Sequence, residues 1–268
     1  CLGLLPGLGF LALLRRGPNL FCPWPVWPTA PAADAAGLQL VHVAYASDAR
    51  NFQGLLASMV SLARSLREPG QCLIHVITSE ADAPRARRLA ECFRRAVGGP
   101  PEGPGVRLHA LRPLPFDVRN FSREDWHGRL DLLNNEMKYQ KMYLHEYLPS
   151  APRALWLDTD TIARSDVAPL YRMRMEHALA AAHESRGVVN GLRMLLAGRS
   201  PEALGRLAEL HDEDFFNVGV VLLDLARWRR LVPQVEAAVA RTAGLMVDQT
   251  ALNAAFPPGQ RDVLDWRW

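Results

Sequence analysis

The chain has 268 residues, 49% apolar and 22% charged, with a formal net charge of +3. That balance describes a globular protein with a sizeable core, built as one large domain or two small ones. Arginines are scattered and no basic run is interleaved with aromatics, so nucleic acid is not the expected partner.

The chain opens with an apolar run, "LGLLPGLGFLALL", from Leu2 to Leu14, followed by Arg15 and Arg16. A complete transmembrane helix needs about 20 apolar residues. Residues 1–16 therefore read as a signal-peptide core or the tail of a truncated signal anchor. Asn120-Phe121-Ser122 is an N-glycosylation acceptor pattern and agrees with a lumenal address. The expected localisation is the secretory pathway, in the Golgi lumen, with a membrane anchor at the N-terminus. Residues 17–37, with "CPWPVWPTAPAA" at their centre, read as a Pro/Ala-rich linker. Residues 38–268 read as the folded domain.

That domain begins with a strand, "LQLVHVAYAS". The segment "NFQGLLASMVSLARSL" follows, with Leu55, Met59, Leu62 and Leu66 at helical spacing. "QCLIHVIT" is a strand and "PRARRLAECFRRAV" an amphipathic helix with Pro84 in its first turn. "VRLHALRPL" is a third strand. The alternation predicts an α/β fold with a mainly parallel central sheet covered by helices. "LDLLNNEMKYQKMYLHEYLP" reads as a helix ended by Pro149, "RALWLD" as a strand, and "HALAAAHE" as a strand from its position. "SPEALGRLAELHDED" reads as a helix capped by Ser200, "FFNVGVVLLDL" as a buried strand and "PQVEAAVARTA" as a helix. His42, His75 and His109 fall in strand-like stretches and read as ordinary packed or surface residues.

Two features mark chemistry. The chain's only lysines, Lys138 and Lys141, stand in one segment. Asp158 and Asp160 follow an apolar strand, one residue apart. In an extended segment, residues i and i+2 point the same way. Two carboxylates on one side, at the C-terminal end of a strand, suit a hard divalent cation such as Mn²⁺ or Mg²⁺ bridging to a diphosphate. A solvated Asp pair in a turn is the plain alternative. The four cysteines, Cys1, Cys22, Cys72 and Cys92, show no zinc-like spacing, and pairing of Cys72 with Cys92 depends on the fold.

"LWLDTDTIA" is similar to the first motif of haloacid-dehalogenase-type phosphatases, in which Asp158 would be a nucleophile. That family places the motif on its first strand and needs a later lysine. Here three strands precede it, and no lysine follows Lys141.

A second resemblance spans Leu40 to Trp266. "HVAYASDARNFQGLLASMVSLARSL", "KYQKMYLHEYLP", "LWLDTDTIARSDVAPLY", "FFNVGVVLLDLARWRR" and "DQTALNAAF" stand in this order. Together they resemble family 8 glycosyltransferases, which are retaining enzymes of the GT-A (Rossmann-like) fold. Each segment alone is an ordinary core or cap pattern; the order carries the resemblance. It implies transfer from a UDP-sugar to a glycan or glycoprotein acceptor, dependent on Mn²⁺ (or Mg²⁺) held by Asp158 and Asp160. Ala46, Asp48, Asn51 and Phe52 would contact the nucleotide. Asn217 and Asp248 would hydrogen-bond the donor sugar. Gln249 would lie beside the anomeric carbon. Lys141 stands where the family usually has Arg, and would add positive charge near the diphosphate or sugar. Acceptor contacts are expected from the region Glu184 to Asp214. The family's later segment, H-x-x-G-x-x-K-P-W, does not occur before the chain stops at "DVLDWRW", so a truncated C-terminus is expected. A catalytically silent GT-A-like binding domain is the remaining alternative.

Overall fold

A computed structural model describes residues 40–118, 135–184, 189, 205, 210, 214–242 and 247–265. The chain divides into two compact units, Cys1–Ala30 and Pro31–Trp268. All described residues belong to the second. The apolar N-terminal run, the glycosylation pattern at Asn120 and the helix expected from Ser200 lie outside the described residues. Among the described residues, no helix is long and apolar enough to cross a membrane.

Among the described residues seven strands form one sheet: β1 (Val41–Ala46), β2 (Cys72–Thr78), β3 (Gly105–Ala110), β4 (Arg153–Leu157), β5 (Leu179–His183), β6 (Phe216–Asp224) and β7 (Asp262–Leu264). Their order is β3-β2-β1-β4-β6-β5-β7. Only β6 runs against its neighbours, pairing antiparallel with β4 and β5. The mainly parallel sheet is as expected; the reversed β6 and the short β7 are additions.

Alternation along the strands builds two cores. Val41, Val43, Tyr45, Leu155 and Leu157 face one side of the sheet. Ala44, Ala154 and Trp156 face the other. Helix α1 (Phe52–Ser65) buries Leu55, Met59 and Leu62 on the first side. Helix α2 (Ala83–Val97) buries Ala86, Leu89 and Phe93. It ends at Gly98, whose φ of 85° is a conformation that favours glycine. On the second side, α5 (Leu225–Thr242) and α6 (Val247–Ala255) pack with the segment before β4. Asp224 accepts a hydrogen bond from the Arg227 amide (3.0 Å), so α5 starts at Leu225, ahead of the expected Pro233, which sits inside it.

Of the segment expected as one helix ending at Pro149, residues 130–134 lie outside the described residues, and the described part is different. It is a 3₁₀ run, Glu136–Tyr143, continued by one α-turn, α3 (Leu144–Tyr147). Asn135 caps it by accepting from the Met137 amide (2.9 Å). Met137, Tyr139, Gln140, Lys141, Met142 and Tyr143 are all buried. An element buried nearly all round is shaped by packing, which here overrides helix propensity. A further α-turn, α4 (Ala168–Tyr171), follows β4. Cys72 is buried, Cys92 is exposed, and both are free thiols.

Candidate active site

The reversed β6 brings its first residues to the C-terminal end of β4. The Asp158 amide donates to the Gly219 carbonyl at 2.8 Å. Strand β4 stops at Leu157. The chain then turns, with the Thr161 amide donating to the Asp158 carbonyl (3.2 Å). Asp158 and Asp160 therefore sit in a turn, and the strand alternation invoked from the sequence does not set their directions. Asp158 is half-buried and Asp160 exposed.

One carboxylate oxygen of Asp158 is fixed. Its Oδ1 accepts from the Trp156 indole N–H at 2.7 Å and lies 3.5 Å from Lys141 Nζ. Oδ2 faces Gly219, where an added Cβ would stand 3.3 Å from it and 3.0 Å from Asn217 Oδ1. A side chain at Gly219 would crowd that oxygen.

Lys141 is buried, with 3% of its side chain exposed. Its ammonium lies 2.6 Å from Asp248 Oδ2, donates to the Val218 carbonyl at 3.0 Å, and sits 5.0 Å above the Trp156 ring. Burial pulls its pKa down, but Asp248 and then Asp158 outweigh this and hold it above the ordinary lysine value. The lysine is a permanent cation joining three segments distant in sequence.

Beside this cluster lies a row of amides. Asn217 Oδ1 accepts from the Gly219 amide (2.7 Å), and Asn217 Nδ2 donates to Glu184 Oε2 (2.8 Å). Gln249 Nε2 donates to the same oxygen at 3.1 Å. Asn253, one turn further along α6, donates to the carbonyls of Phe216 and Gln249 at 2.9 Å and accepts from the Phe216 amide at 2.8 Å. It thereby ties α6 to the start of β6. Glu184 was not singled out as a site residue. A signal was present in its place just beyond β5, but its direction depends on the bulge between Ala181 and His183.

The residues expected from the sequence to contact a nucleotide gather at the end of β1. Ala46 and Phe52 are half-buried against the cores, and Asn51 is exposed. Asp48 caps the short turn that follows, accepting from the Arg50 amide (2.9 Å) and pairing with its guanidinium (2.9 Å). Burial raises the Asp48 pKa, but the Arg50 contacts, with Asn135, outweigh it and hold the carboxyl below its usual value.

The donor set fits a hard divalent cation. Lys141 carries one positive charge against Asp158 and Asp248 (3.5 and 2.6 Å), and Asp160 adds another negative charge. Asp158 and Asp160 offer oxygen ligands only. Among the described residues no group of three or more His, Cys, Asp or Glu forms a metal cage. Mg²⁺-type ions are commonly held this way, by one or two carboxylates with substrate phosphates and water completing the shell.

Residues 120–257 match the family described as Glycosyl transferase family 8. The chain is 27% identical over 198 residues to "Probable galacturonosyltransferase-like 9" of Arabidopsis thaliana, covering 71% of this chain and 47% of that protein. It thus spans about half the length of the curated relatives it matches. Among solved structures it is similar to the galactosyltransferase LgtC in complex with donor and acceptor sugar analogs. The TM-score is 0.61 at 21% identity, covering 85% of this chain and 74% of that one. Mouse xyloside xylosyltransferase 1 gives a TM-score of 0.55 at 17% identity, covering 85% of each chain. The likeness to these structures is one of fold, the GT-A fold. The matched span is more than half of the chain, and the chain belongs to glycosyl transferase family 8.

Proposed function

We propose that the chain carries the catalytic domain of a retaining glycosyltransferase that moves a sugar from a UDP-sugar donor to a glycan or glycoprotein acceptor. The observation that carries this reading is the convergence, through Lys141, of the D-x-D turn and the D-Q helix at one end of the sheet. The F-N-x-G strand start joins them through the Val218 carbonyl. In open α/β sheets ligands bind at the C-terminal strand ends. A divalent ion, Mn²⁺ or Mg²⁺, held by Asp158 and Asp160 would supply Lewis-acid neutralisation of the charge developing on the leaving UDP. Ala46, Asp48, Asn51 and Phe52 would border the nucleotide.

Each residue's part follows from where it sits. Lys141 is enclosed, so it acts by holding Asp158 and Asp248 in place and balancing their charge. Asn217 and Gln249 meet on Glu184, and this shared carboxylate orients both amides toward the donor sugar. Front-face transfer with retention needs no protein nucleophile, and the neutral Gln249 amide suits a position beside the reacting carbon. The family assignment removes the phosphatase alternative. Lumenal, membrane-anchored placement rests on the apolar run at Leu2 to Leu14.

The experiment is a donor screen: UDP release from a panel of UDP-sugars, with and without Mn²⁺. Metal-dependent UDP release supports the reading. UDP binding with no turnover on any donor and acceptor would instead make this a silent binding domain.

A further inference from the structure

Helix α1 carries a second pattern beneath its apolar one. Gly54, Ser58 and Ser61 recur at i, i+4 and i+7 and so share one face. Both serines are buried, and all three residues meet the segment that begins at the first D-x-D carboxylate. A Cβ on Gly54 would stand 3.0 Å from the Thr159 carbonyl oxygen, the residue between the two aspartates. Ser61 Oγ accepts from the Ala163 amide at 2.9 Å and donates to the Ser58 carbonyl at 2.7 Å.

Between them runs a chain of hydroxyls. Tyr45 OH is 3.1 Å from Ser58 Oγ, and Ser58 Oγ is 3.1 Å from Thr161 Oγ1. Thr161 Oγ1 donates to the Asp158 carbonyl at 2.8 Å. Each hydroxyl has one proton, so this last bond fixes the direction of the others. Thr161 accepts from Ser58, and Ser58 accepts from Tyr45. The Tyr45 ring is fully buried in the sheet core, and burial raises its pKa, keeping the phenol a donor. A relay of hydroxyls, buried at Tyr45 and Ser58 and half-buried at Thr161, thus runs from the centre of β1, through α1, to the backbone of Asp158. Leaving either buried hydroxyl, Tyr45 or Ser58, unpaired costs about 1–3 kcal/mol. The network has its lowest energy at one position of the turn, which is how a buried polar chain specifies geometry.

We propose that Gly54, Ser58, Tyr45 and Thr161 are positioning residues that set the carboxylates of Asp158 and Asp160 for metal and diphosphate. Gly54 admits the turn at close range, and the hydroxyl relay fixes its height on the helix. The proposal rests on the metal-dependent reading of the site, and it is tested by a readout that does not need a ligand. The Trp156 indole N–H donates to Asp158 Oδ1, so its resonance in ¹⁵N-labelled protein reports the carboxylate's position.

The variants are Gly54→Ala, the near-isosteric Thr161→Val, and Thr161→Ser, which restores the hydroxyl. Alanine favours a helix over glycine, so Gly54→Ala should fold with little loss of thermal stability. It should nevertheless move the Trp156 indole resonance and raise the Mn²⁺ concentration for half-maximal UDP binding about tenfold. One pKa-unit-sized change in binding free energy gives that factor. Thr161→Val should act in the same direction, and Thr161→Ser should return both signals to the parent values. An unmoved indole resonance in both Gly54→Ala and Thr161→Val overturns the positioning role, whatever the ligand results. A moved resonance with unaltered Mn²⁺–UDP affinity severs the link to the site. Failure of the parent itself to bind Mn²⁺–UDP would refute the proposed function separately, while the resonance still decides the geometry.

Discussion

Lys141 and Asp248 form a buried ion pair at 2.6 Å, with side chains 3% and 5% exposed. Water cannot screen either charge there. Removing one partner strands the other, which costs about 3–5 kcal/mol at buried pairs, whereas removing both costs much less. Lys141→Met should therefore destabilise the fold by that order, and the double variant Lys141→Met/Asp248→Asn should recover a large part of the loss. Urea denaturation of the two variants and the parent checks this. Losses that simply add would show that the two residues are not coupled.

The two aspartates of the D-x-D turn should separate by stability and unite by function. Asp160 is exposed, so Asp160→Asn should leave stability within about 0.5 kcal/mol. Asp158 faces Lys141 and accepts from Trp156. Asp158→Asn should cost about 1–3 kcal/mol through the weakened contacts. Both variants should lose Mn²⁺-dependent UDP binding, by at least tenfold in calorimetry. Retained Mn²⁺-dependent binding in either one would remove that residue from the metal site.

The fold was legible in the sequence because strands such as β2 and helices such as α2 carry their own period, cap and proline. The site's outline was legible because its segments stand in family order. What sequence left hidden depends on neighbours far along the chain. Lys141 was expected near the diphosphate, yet its burial follows from a 3₁₀ segment packed nearly all round. The spacing of Gly54, Ser58 and Ser61 is visible in the sequence. Its use appears only because β1 and β4 are adjacent, which brings α1 against the D-x-D turn. Glu184 joins Asn217 and Gln249 only because β6 is reversed and β5 is bulged.

Gln249 and Glu184 should give the same kinetic signature. Gln249 Nε2 and Asn217 Nδ2 converge on Glu184 Oε2 at 3.1 and 2.8 Å, so the carboxylate sets where both amides point. Gln249→Ala should lower kcat more than it changes the donor KM. Glu184→Ala should do likewise, by releasing the amide it holds. Steady-state kinetics with varied donor decides the point. A change confined to KM would mean that these groups bind donor and transition state equally.

Three imidazoles cross adjacent strands in a hydrogen-bonded string, His42 Nδ1 to His75 Nε2 at 3.0 Å and His75 Nδ1 to His109 Nε2 at 2.9 Å. Tyr171 lies near His42 and Tyr147 edges onto His109. Burial, then the flanking rings, then Arg107 push the His75 pKa down to about 3. Burial and Arg107 lower His42 and His109 as well. The folded pKa lies below the unfolded value of about 6.5, so the unfolded chain takes up the proton first as pH falls. Stability from this string is complete above pH 6.5 and is lost progressively as pH drops toward 3. Between pH 5.5 and 4.5 the middle ring alone should contribute a slope of about 1.4 kcal/mol per pH unit. Carboxylates that titrate in the same range act alike in parent and variant, so a comparison isolates the histidine. Urea midpoints of the parent and His75→Leu at pH 7, 5.5 and 4.5 should show a shallower decline in the variant, by close to one proton. Parallel declines would mean that the string is protonated in the fold as readily as in the unfolded chain.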